Sequence, residues 1–178
     1  MLGSGSIPHG SQEVVMNTNG KIIVIDDVLT KSECLEAIKV YNLARFKNSP
    51  QVGAYNDTIV YHMNATDEFL LSLTSKIKDS IMFLTNEIEV DWSQVVGWFD
   101  GSKQEYHTDT ASVRTVLTSI TYLNDNYSGG ETSFLNDIQV VPKTGRTVYF
   151  NGAHYVHGVN EITKGIRYSL PIWYKISV

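Results

Sequence analysis

The chain contains a single cysteine, Cys34, so it cannot form an intramolecular disulfide. One thiol is typical of a protein from a reducing compartment, and we expect a cytoplasmic location. Long apolar runs are also missing, because none reaches the roughly 18–20 residues of a membrane-spanning helix. Basic residues are scarce, with 14 Lys and Arg against 19 Asp and Glu and a net charge of −5. This balance argues against a nucleic-acid-binding face, so we expect neither a membrane nor a nucleic acid as partner.

The length and composition fit one globular domain, with 178 residues of which 42% are hydrophobic and 19% charged. Residues 1–20 start with a stretch rich in Gly and Ser that lacks the apolar segment of a secretory signal. We interpret them as a flexible arm or a cloning remnant. Residues 21–178 are predicted to form a single domain, with a helical buttress over about 28–90 and a β-rich core over about 91–178. The sequence leaves the oligomeric state open.

Two helices are predicted in the first half of the chain. Thr30 and Glu33 fit a capping box, and the apolar stripe behind it is formed by Leu35, Ile38 and Tyr41. Thr66 is the predicted N-cap of the second helix, whose apolar residues recur at three- or four-residue spacing: Phe69, Leu73, Ile77, Ile81 and Leu84. The polar segment over residues 47–57 is predicted to be a loop.

Short β-rich segments alternate with turn residues in the second half, a pattern typical of a sandwich or barrel. Together with one earlier segment, the predicted strands are 21–26, 94–99, 114–124, 132–135, 138–141, 147–150, 155–159 and 166–177. Because the helices come first and most strands follow, we expect the helices to lie outside one sheet.

His107, Asp109 and His157 form the most informative group of side chains. His107 and Asp109 are two positions apart, so they share one face of an extended segment, while His157 must come from another strand. Two imidazoles and one carboxylate can hold a ferrous ion and leave three positions open for a co-substrate and O2. A double-stranded β-helix (jelly-roll) brings distant strands together across its interior. We therefore predict a mainly β (α+β) fold with a jelly-roll core.

Arg167, ten positions after His157, supplies a cation that can clamp a carboxylate. Iron is favoured over zinc, because a structural zinc site needs four ligands, commonly thiolates, and the HExxH helix of many zinc enzymes is absent. The other histidines are interpreted without a ligand role: His9 as part of the arm, His62 as structural and His154 as a loop residue.

Short motifs surround the ligand set in order along the chain. They are Trp98-Phe99-Asp100-Gly101, His107-Thr108-Asp109, Thr121-Tyr122-Leu123-Asn124, Gly129-Gly130-Glu131-Thr132, His157-Gly158, Gly165-Ile166-Arg167 and Trp173. Over roughly Val95 to Tyr174 the chain resembles the Fe(II)/2-oxoglutarate-dependent dioxygenases, and within them the prolyl 4-hydroxylase-like branch. The whole series is far more specific than any one motif in it.

The resemblance implies that His107, Asp109 and His157 ligate Fe(II) and are the catalytic residues. It also implies that Arg167 pairs with the far carboxylate of the co-substrate 2-oxoglutarate, assisted by the hydroxyl of Tyr122. O2 would then take the remaining position, and succinate and CO2 would be released. Ascorbate, which commonly serves this family as a reductant, is included among the expected cofactors.

The chain departs from the branch at two positions. Trp98 stands where the branch usually has Tyr, and we predict that it lines the co-substrate site, with an indole nitrogen that is a donor only. Gln104 stands three residues before the first His, where the branch often has Tyr. Ser169 shares a face with Arg167 and either touches the same carboxylate or fills that face. The predicted substrate-proximal residues are Gln104, Arg114 and Trp173.

Four functions compete. The leading hypothesis is a dioxygenase that hydroxylates an unactivated C–H bond of a prolyl residue in a protein or peptide. The alternative keeps the chemistry but acts on a free amino acid or another small metabolite. Oxidative demethylation of nucleic-acid bases is disfavoured, because Trp173 stands where those relatives carry a second Arg. A non-catalytic jelly-roll binding module is disfavoured by the intact set of His107, Asp109, His157 and Arg167.

Overall fold

The computed structural model describes residues 12–17, 20–47, 51–52, 60–82, 87–109, 114–135 and 137–177. Within these ranges the chain forms two helices and three antiparallel sheets, which confirms the predicted mainly β fold class. None of the helices in these ranges combines the length and the apolar character that crossing a membrane requires.

The elements follow one another along the chain with short connections. The helices are α1 (Lys31–Lys47) and α2 (Glu68–Asp79). The strands are β1 (Gln12–Asn17), β2 (Gly20–Ile25), β3 (Gln51–Val52), β4 (Val60–Asn64), β5 (Ile88–Trp98), β6 (Gln104–His107), β7 (Leu117–Tyr122), β8 (Ser128–Gly129), β9 (Thr132–Phe134), β10 (Gln139–Val140), β11 (Thr147–Phe150), β12 (His157–Val159), β13 (Ile162–Lys164) and β14 (Arg167–Ile176). The large sheet has the order β1-β2-β11-β7-β14-β5-β4-β3, and the small sheet β10-β9-β12-β6. Strands β13 and β8 pair separately.

Alternation along the strands divides the large sheet between two layers. On β14, Leu170, Ile172 and Tyr174 are buried in the apolar cluster that contains the inner faces of both helices. Arg167 and Ser169 lie on the opposite face, which lines a cavity. Strand β2 alternates in the same way, with Ile23 and Ile25 in the helix-side cluster and Ile22 and Val24 in the cluster between the sheets. One face of the sheet thus supports the fold, and the other is available for a site.

The capping box of α1 is confirmed. The backbone N–H of Thr30 donates to Glu33 Oε2 at 2.7 Å, and that of Glu33 donates to Thr30 Oγ1 at 3.2 Å. The predicted apolar stripe is wrong at Leu35, which is 61% exposed. Cys34 and Ala37 are buried instead, because these small side chains let the helix approach the sheet closely. The buried face of α1 therefore includes Cys34 in place of the predicted Leu35, one residue earlier.

The N-cap of α2 is Asp67 rather than the predicted Thr66. The Asp67 carboxylate accepts from the backbone N–H groups of Phe69 and Leu70 at 2.9 and 3.4 Å. A carboxylate also suits the positive end of the helix dipole better than a hydroxyl does. The helix ends at Asp79, so Ile81 is buried from the following turn and Leu84 lies outside the described residues.

Strands at the edges of the large sheet depart from the predicted boundaries. Residues 12–17, predicted as part of a flexible arm, form β1 and pair antiparallel with β2; residues 1–11 lie outside the described part of the chain. Strand β4 lies inside the predicted helical buttress and pairs with β5, and β3 lies inside the predicted loop. These strands in the outer parts of the sheet are defined by backbone pairing, which leaves little trace in the pattern of their side chains.

Candidate metal and co-substrate site

The two histidines of the ligand set face each other across a strand pair. His107 ends β6 and His157 begins β12, and the two residues are paired in the antiparallel register of the small sheet. Their ring centroids are 4.4 Å apart. Asp109 follows two residues after β6, and its backbone N–H donates to the carbonyl of Gly152 at 2.8 Å. Residues that are 50 positions apart in the sequence therefore converge on one point.

Hydrogen bonds to the backbone orient both imidazoles in the same way. Nδ1 of His107 lies 3.0 Å from the carbonyl oxygen of Glu105, and Nδ1 of His157 lies 3.0 Å from that of Tyr155. A carbonyl can only accept, so each Nδ1 carries the proton and donates it. Each Nε2 therefore carries its lone pair toward the candidate metal position, as in most histidine metal sites. On His107 this lone pair accepts from the amide nitrogen of Gln104 at 3.2 Å, a contact that a bound metal would replace.

The carboxylate of Asp109 is oriented by a hydroxyl. Thr118 Oγ1 donates to Asp109 Oδ2 at 2.6 Å. Oδ1 of Asp109 lies 3.7 Å from His107 Nε2 and 3.8 Å from His157 Nε2. The three candidate ligand atoms all lie within 4.8 Å of one another, close enough to hold one ion.

The surroundings of His157 keep its ring neutral. Burial is the main reason that the pKa of His157 is lowered; the charge of Asp109 opposes this effect, and the nearby His107 adds to it. The ring of Phe150 packs edge-on at 4.6 Å between centroids. Since metal binding requires a deprotonated nitrogen, this environment favours the ligating form at neutral pH.

Arg167 is almost completely buried, with 1% of its surface exposed. Its guanidinium lies 5.4 Å from the ring centroids of both Trp98 and Tyr122, and Nη1 donates to Ser169 Oγ at 3.3 Å. Nε and Nη2 are buried and have no hydrogen-bond partner among the described residues. Burial of a charge without a counter-ion costs several kcal/mol, so this arrangement is suited to an anionic ligand.

One cavity of about 480 Å³ joins these groups. Its wall includes the three candidate ligands, Arg167 and four of the other predicted site residues: Trp98, Ser169, Gln104 and Trp173. Thr108, between the ligands His107 and Asp109, also lines it. The chemistry of this set fits a ferrous ion on one side and a dicarboxylate co-substrate held at the guanidinium.

Two predicted site residues lie outside the cavity wall. Tyr122 is buried behind Arg167, and its hydroxyl lies 2.7 Å from Thr132 Oγ1 and 3.1 Å from the carbonyl oxygen of Val140. Burial also raises the pKa of Tyr122, so its phenol stays protonated. Arg114 is exposed and does not contribute to the wall. A contact between either residue and a bound molecule stays a prediction.

The structure adds residues that the sequence did not single out. Thr118 and Gly152 position the Asp109 carboxylate, and no sequence motif marks them. Gln94 and Trp92 line the same cavity on β5. Their signal was present, because period-two alternation from Trp98 places both on its face of the strand.

Comparisons with known proteins agree with this geometry. A family model for the 2OG-Fe(II) oxygenase superfamily matches residues 93–175, which include all three candidate ligands and Arg167. Prolyl 3-hydroxylase 1 of Gallus gallus is 24% identical over 230 aligned residues, covering 97% of this chain and 32% of the relative. The chain thus spans about a third of the length of that relative.

Solved structures share the fold at low identity. A prolyl hydroxylase from Trichoplax adhaerens, in complex with a hypoxia inducible factor oxygen degradation domain peptide fragment, has a TM-score of 0.70 at 21% identity, covering 89% of this chain and 84% of that one. The non-heme alpha ketoglutarate dependent carbocyclase SnoK from nogalamycin biosynthesis has a TM-score of 0.74 at 16% identity, covering 87% and 79%. The family match and the geometry of the cavity agree: over residues 93–175 the chain is similar to the 2OG-Fe(II) oxygenase superfamily, and its cavity holds the three side chains of a candidate metal site.

Proposed function

We propose that this chain hydroxylates an unactivated C–H bond of a prolyl residue in a protein or peptide. One atom of O2 enters the substrate and the other enters succinate, while 2-oxoglutarate loses CO2. The observation that carries this proposal is the unpaired, buried guanidinium of Arg167 in the same cavity as the ligands His107, Asp109 and His157. A cation in this position matches a co-substrate with a second carboxylate beyond the one near the metal.

Each residue has a separate task in this proposal. Nε2 of both histidines and Oδ1 of Asp109 hold Fe(II), which when bound supplies the activation of O2 that C–H hydroxylation needs. Arg167 holds the far carboxylate, with Ser169 beside it. The indole of Trp98 covers the guanidinium and keeps water away from it, which strengthens the charge-assisted hydrogen bonds.

The prolyl substrate is supported by the names of the similar proteins, a prolyl 3-hydroxylase and a prolyl hydroxylase with a bound peptide fragment. The alternative of a free amino acid or small metabolite is favoured by Gln104. Its amide nitrogen lies 3.2 Å from Nε2 of His107, where the prolyl 4-hydroxylase branch often has Tyr. A screen of proline-containing peptides and free amino acids for the mass gain of one oxygen distinguishes the two.

Ascorbate is proposed as a supporting reductant, and its omission should shorten the linear phase of turnover.

Metal and co-substrate binding can be tested without knowing the substrate. Anaerobic addition of Fe(II) and then 2-oxoglutarate to the wild-type protein should produce a weak visible metal-to-ligand charge-transfer band. His107→Ala and Asp109→Ala should remove the band and the succinate that wild type forms in air, because each variant loses one of three ligands.

His154→Ala is the matched control, since His154 is an exposed histidine that does not line the cavity. It should keep both signals at the wild-type level. Full succinate formation by Asp109→Ala, or no band in the wild type, would refute the proposed site.

A further inference from the structure

Strand β5 forms a wall of the cavity away from the metal ligands, and this wall includes the polar residue Gln94. Thr118, which donates to Asp109, is paired with Trp173 on β14, so the ligands lie near the Trp173 end of that strand. Arg167 lies at the other end, six residues away, or about 20 Å along the strand. Strand β5 runs on the far side of β14 from β7, about 10 Å across the sheet. The cavity extends between β5 and the ligands, so this space is available to a primary substrate.

Gln94 is the polar residue of β5 at this level of the cavity. The register of β14 with β5 places it opposite Pro171, next to the Trp173–Trp92 pair. It is four residues away from Trp98, the residue that packs on Arg167, so the co-substrate end of the cavity is about 13 Å away along the strand. Its position beside the Trp92–Trp173 pair suits a contact with the primary substrate.

The amide oxygen of Gln94 has no hydrogen-bond partner in the part of the chain that the structure describes. Only 3% of the surface of this residue is exposed, the residue lines the cavity, and its Oε1 is buried. Buried amide oxygens are rarely left in this state, and each one calls for an explanation. A ligand that brings an N–H or O–H group to this wall supplies the missing partner.

The neighbours of Gln94 define the rest of the substrate position. Trp92 and Trp173 stack with centroids 4.7 Å apart and planes 18° apart, which makes a flat apolar platform beside the amide. A bulge in the pairing after Trp173 brings Asp91 to the cavity wall as well. Asp91 lies 3.5 Å from Lys175, which compensates its charge. The amide oxygen of Gln94 has no such partner among the described residues.

We propose that Gln94 determines substrate specificity by accepting a hydrogen bond from an N–H group of the primary substrate, whose apolar part lies on Trp92 and Trp173. This rests on the hydroxylase function proposed above and assigns it a new specificity residue. The N–H group has two sources, the backbone amide that follows a prolyl residue in a peptide, or the amine of a free amino acid.

The test compares wild type with Gln94→Met, which keeps the length of the side chain and removes the amide. The probes are a blocked peptide, acetyl-Ala-Pro-Ala-amide, its analogue N-methylated at the amide after proline, and free L-proline. Wild type should hydroxylate the blocked peptide about tenfold more efficiently than its N-methylated analogue, the value of one hydrogen bond, and Gln94→Met should treat the two alike. If the amine of the amino acid is the donor, Gln94→Met should instead lower turnover of free L-proline about tenfold and leave the peptides unchanged.

Two further readouts separate a substrate contact from a structural role. The visible band with Fe(II) and 2-oxoglutarate and the uncoupled decay of 2-oxoglutarate should be unchanged in Gln94→Met, and its Tm should be equal to or above that of wild type. Gln139→Met is the control for the same replacement at an exposed glutamine on β10, and it should change nothing.

The outcomes distinguish the two levels of the proposal. If wild type forms no band or hydroxylates none of the probes, the proposed function fails and the role of Gln94 falls with it. If wild type hydroxylates a probe and Gln94→Met keeps both its preference and its rate, only the role of Gln94 is refuted. A clear fall in the Tm of Gln94→Met would show that Gln94 holds the fold together, and would also overturn it.

Discussion

Gly152 shows how little space the site leaves around its carboxylate. A Cβ atom at this position would overlap Oδ2 of Asp109 and Oγ1 of Thr118. We expect Gly152→Ala to displace the Asp109 carboxylate and to weaken Fe(II) binding by roughly 10–100-fold, the usual effect of disturbing a metal ligand's support. Titration of Fe(II) under anaerobic conditions measures this. His154→Ala, at an exposed residue that does not line the cavity, is the control; equal affinity in Gly152→Ala and wild type would contradict the assignment.

Arg167 combines a functional charge with a cost to stability. Replacement by Met removes the guanidinium but keeps much of its volume, so we expect the apparent KM for 2-oxoglutarate to rise by roughly 10–100-fold, as for the loss of one or two charge-assisted hydrogen bonds. Without 2-oxoglutarate the same variant should be at least as stable as wild type, because an unpaired buried cation is lost. Steady-state kinetics and thermal unfolding measure the two effects, and an unchanged KM would place the co-substrate elsewhere.

At the scale of elements, hydrogen bonds from Tyr149 connect the C-terminal end of helix α2 to the large sheet. The Tyr149 hydroxyl, on β11, lies 2.8 Å from the carbonyl oxygen of Ile77 and 2.5 Å from Ser80 Oγ. Tyr149→Phe should lower the free energy of unfolding by about 1 kcal/mol, one net hydrogen bond. Thermal unfolding measures the change, and Tyr106→Phe, at a residue that is 51% exposed, is the control. Identical stability of Tyr149→Phe and wild type would show that this contact contributes nothing.

Asp26 joins the end of β2 to the turn before β11. Its carboxylate accepts from Arg146 Nε at 2.6 Å and from Lys143 Nζ at 2.8 Å, and the Arg146 hydrogen bond is the main reason that the pKa of Asp26 is lowered from 3.8. A lowered pKa means that the charged form adds stability above pH 3.8, which is lost as pH falls through the folded value. Asp26→Asn should therefore be about 1 kcal/mol less stable at pH 7, and the difference should shrink below pH 3.8.

Denaturant unfolding at several pH values measures this dependence. Asp27→Asn is the control, because Asp27 is exposed and lies 4.0 Å from Lys143. A difference for Asp26→Asn that stays constant down to pH 3 would mean that the carboxylate charge is not its source.

At the scale of the whole molecule, the large sheet separates the apolar core beneath the helices from the cavity that contains the candidate site. The helices cover the face that carries Ile172 and Tyr174, and the small sheet closes over the face that carries Arg167. Cys34 belongs to the covered side, where burial raises the pKa of its thiol to about 12 and makes the thiol unreactive. All three tryptophans line the cavity on the other side.

The central strands could be predicted because each is a short β-rich segment bounded by turn residues. Residues 147–150 were predicted with the observed bounds, since all four residues of this strand are buried and form a short β-rich run between turn residues. The outer strands β1, β3 and β4 were missed because they depend on pairing with distant strands, and no local sequence pattern identifies those partners. The N-cap at Asp67 and the buried face of α1 were each displaced by one residue, which propensity cannot resolve.

The sequence by itself identified His107, Asp109, His157 and Arg167, because few residue types bind iron or a carboxylate and their order along the chain is distinctive. It also predicted a mainly β fold around them. Folding alone determined which atoms face the candidate metal position, that Nε and Nη2 of Arg167 lack a partner among the described residues, and that Gln94 lines the same cavity. These properties depend on the distances and burial created by pairing strands far apart in the chain, and such distances are not encoded in any local pattern.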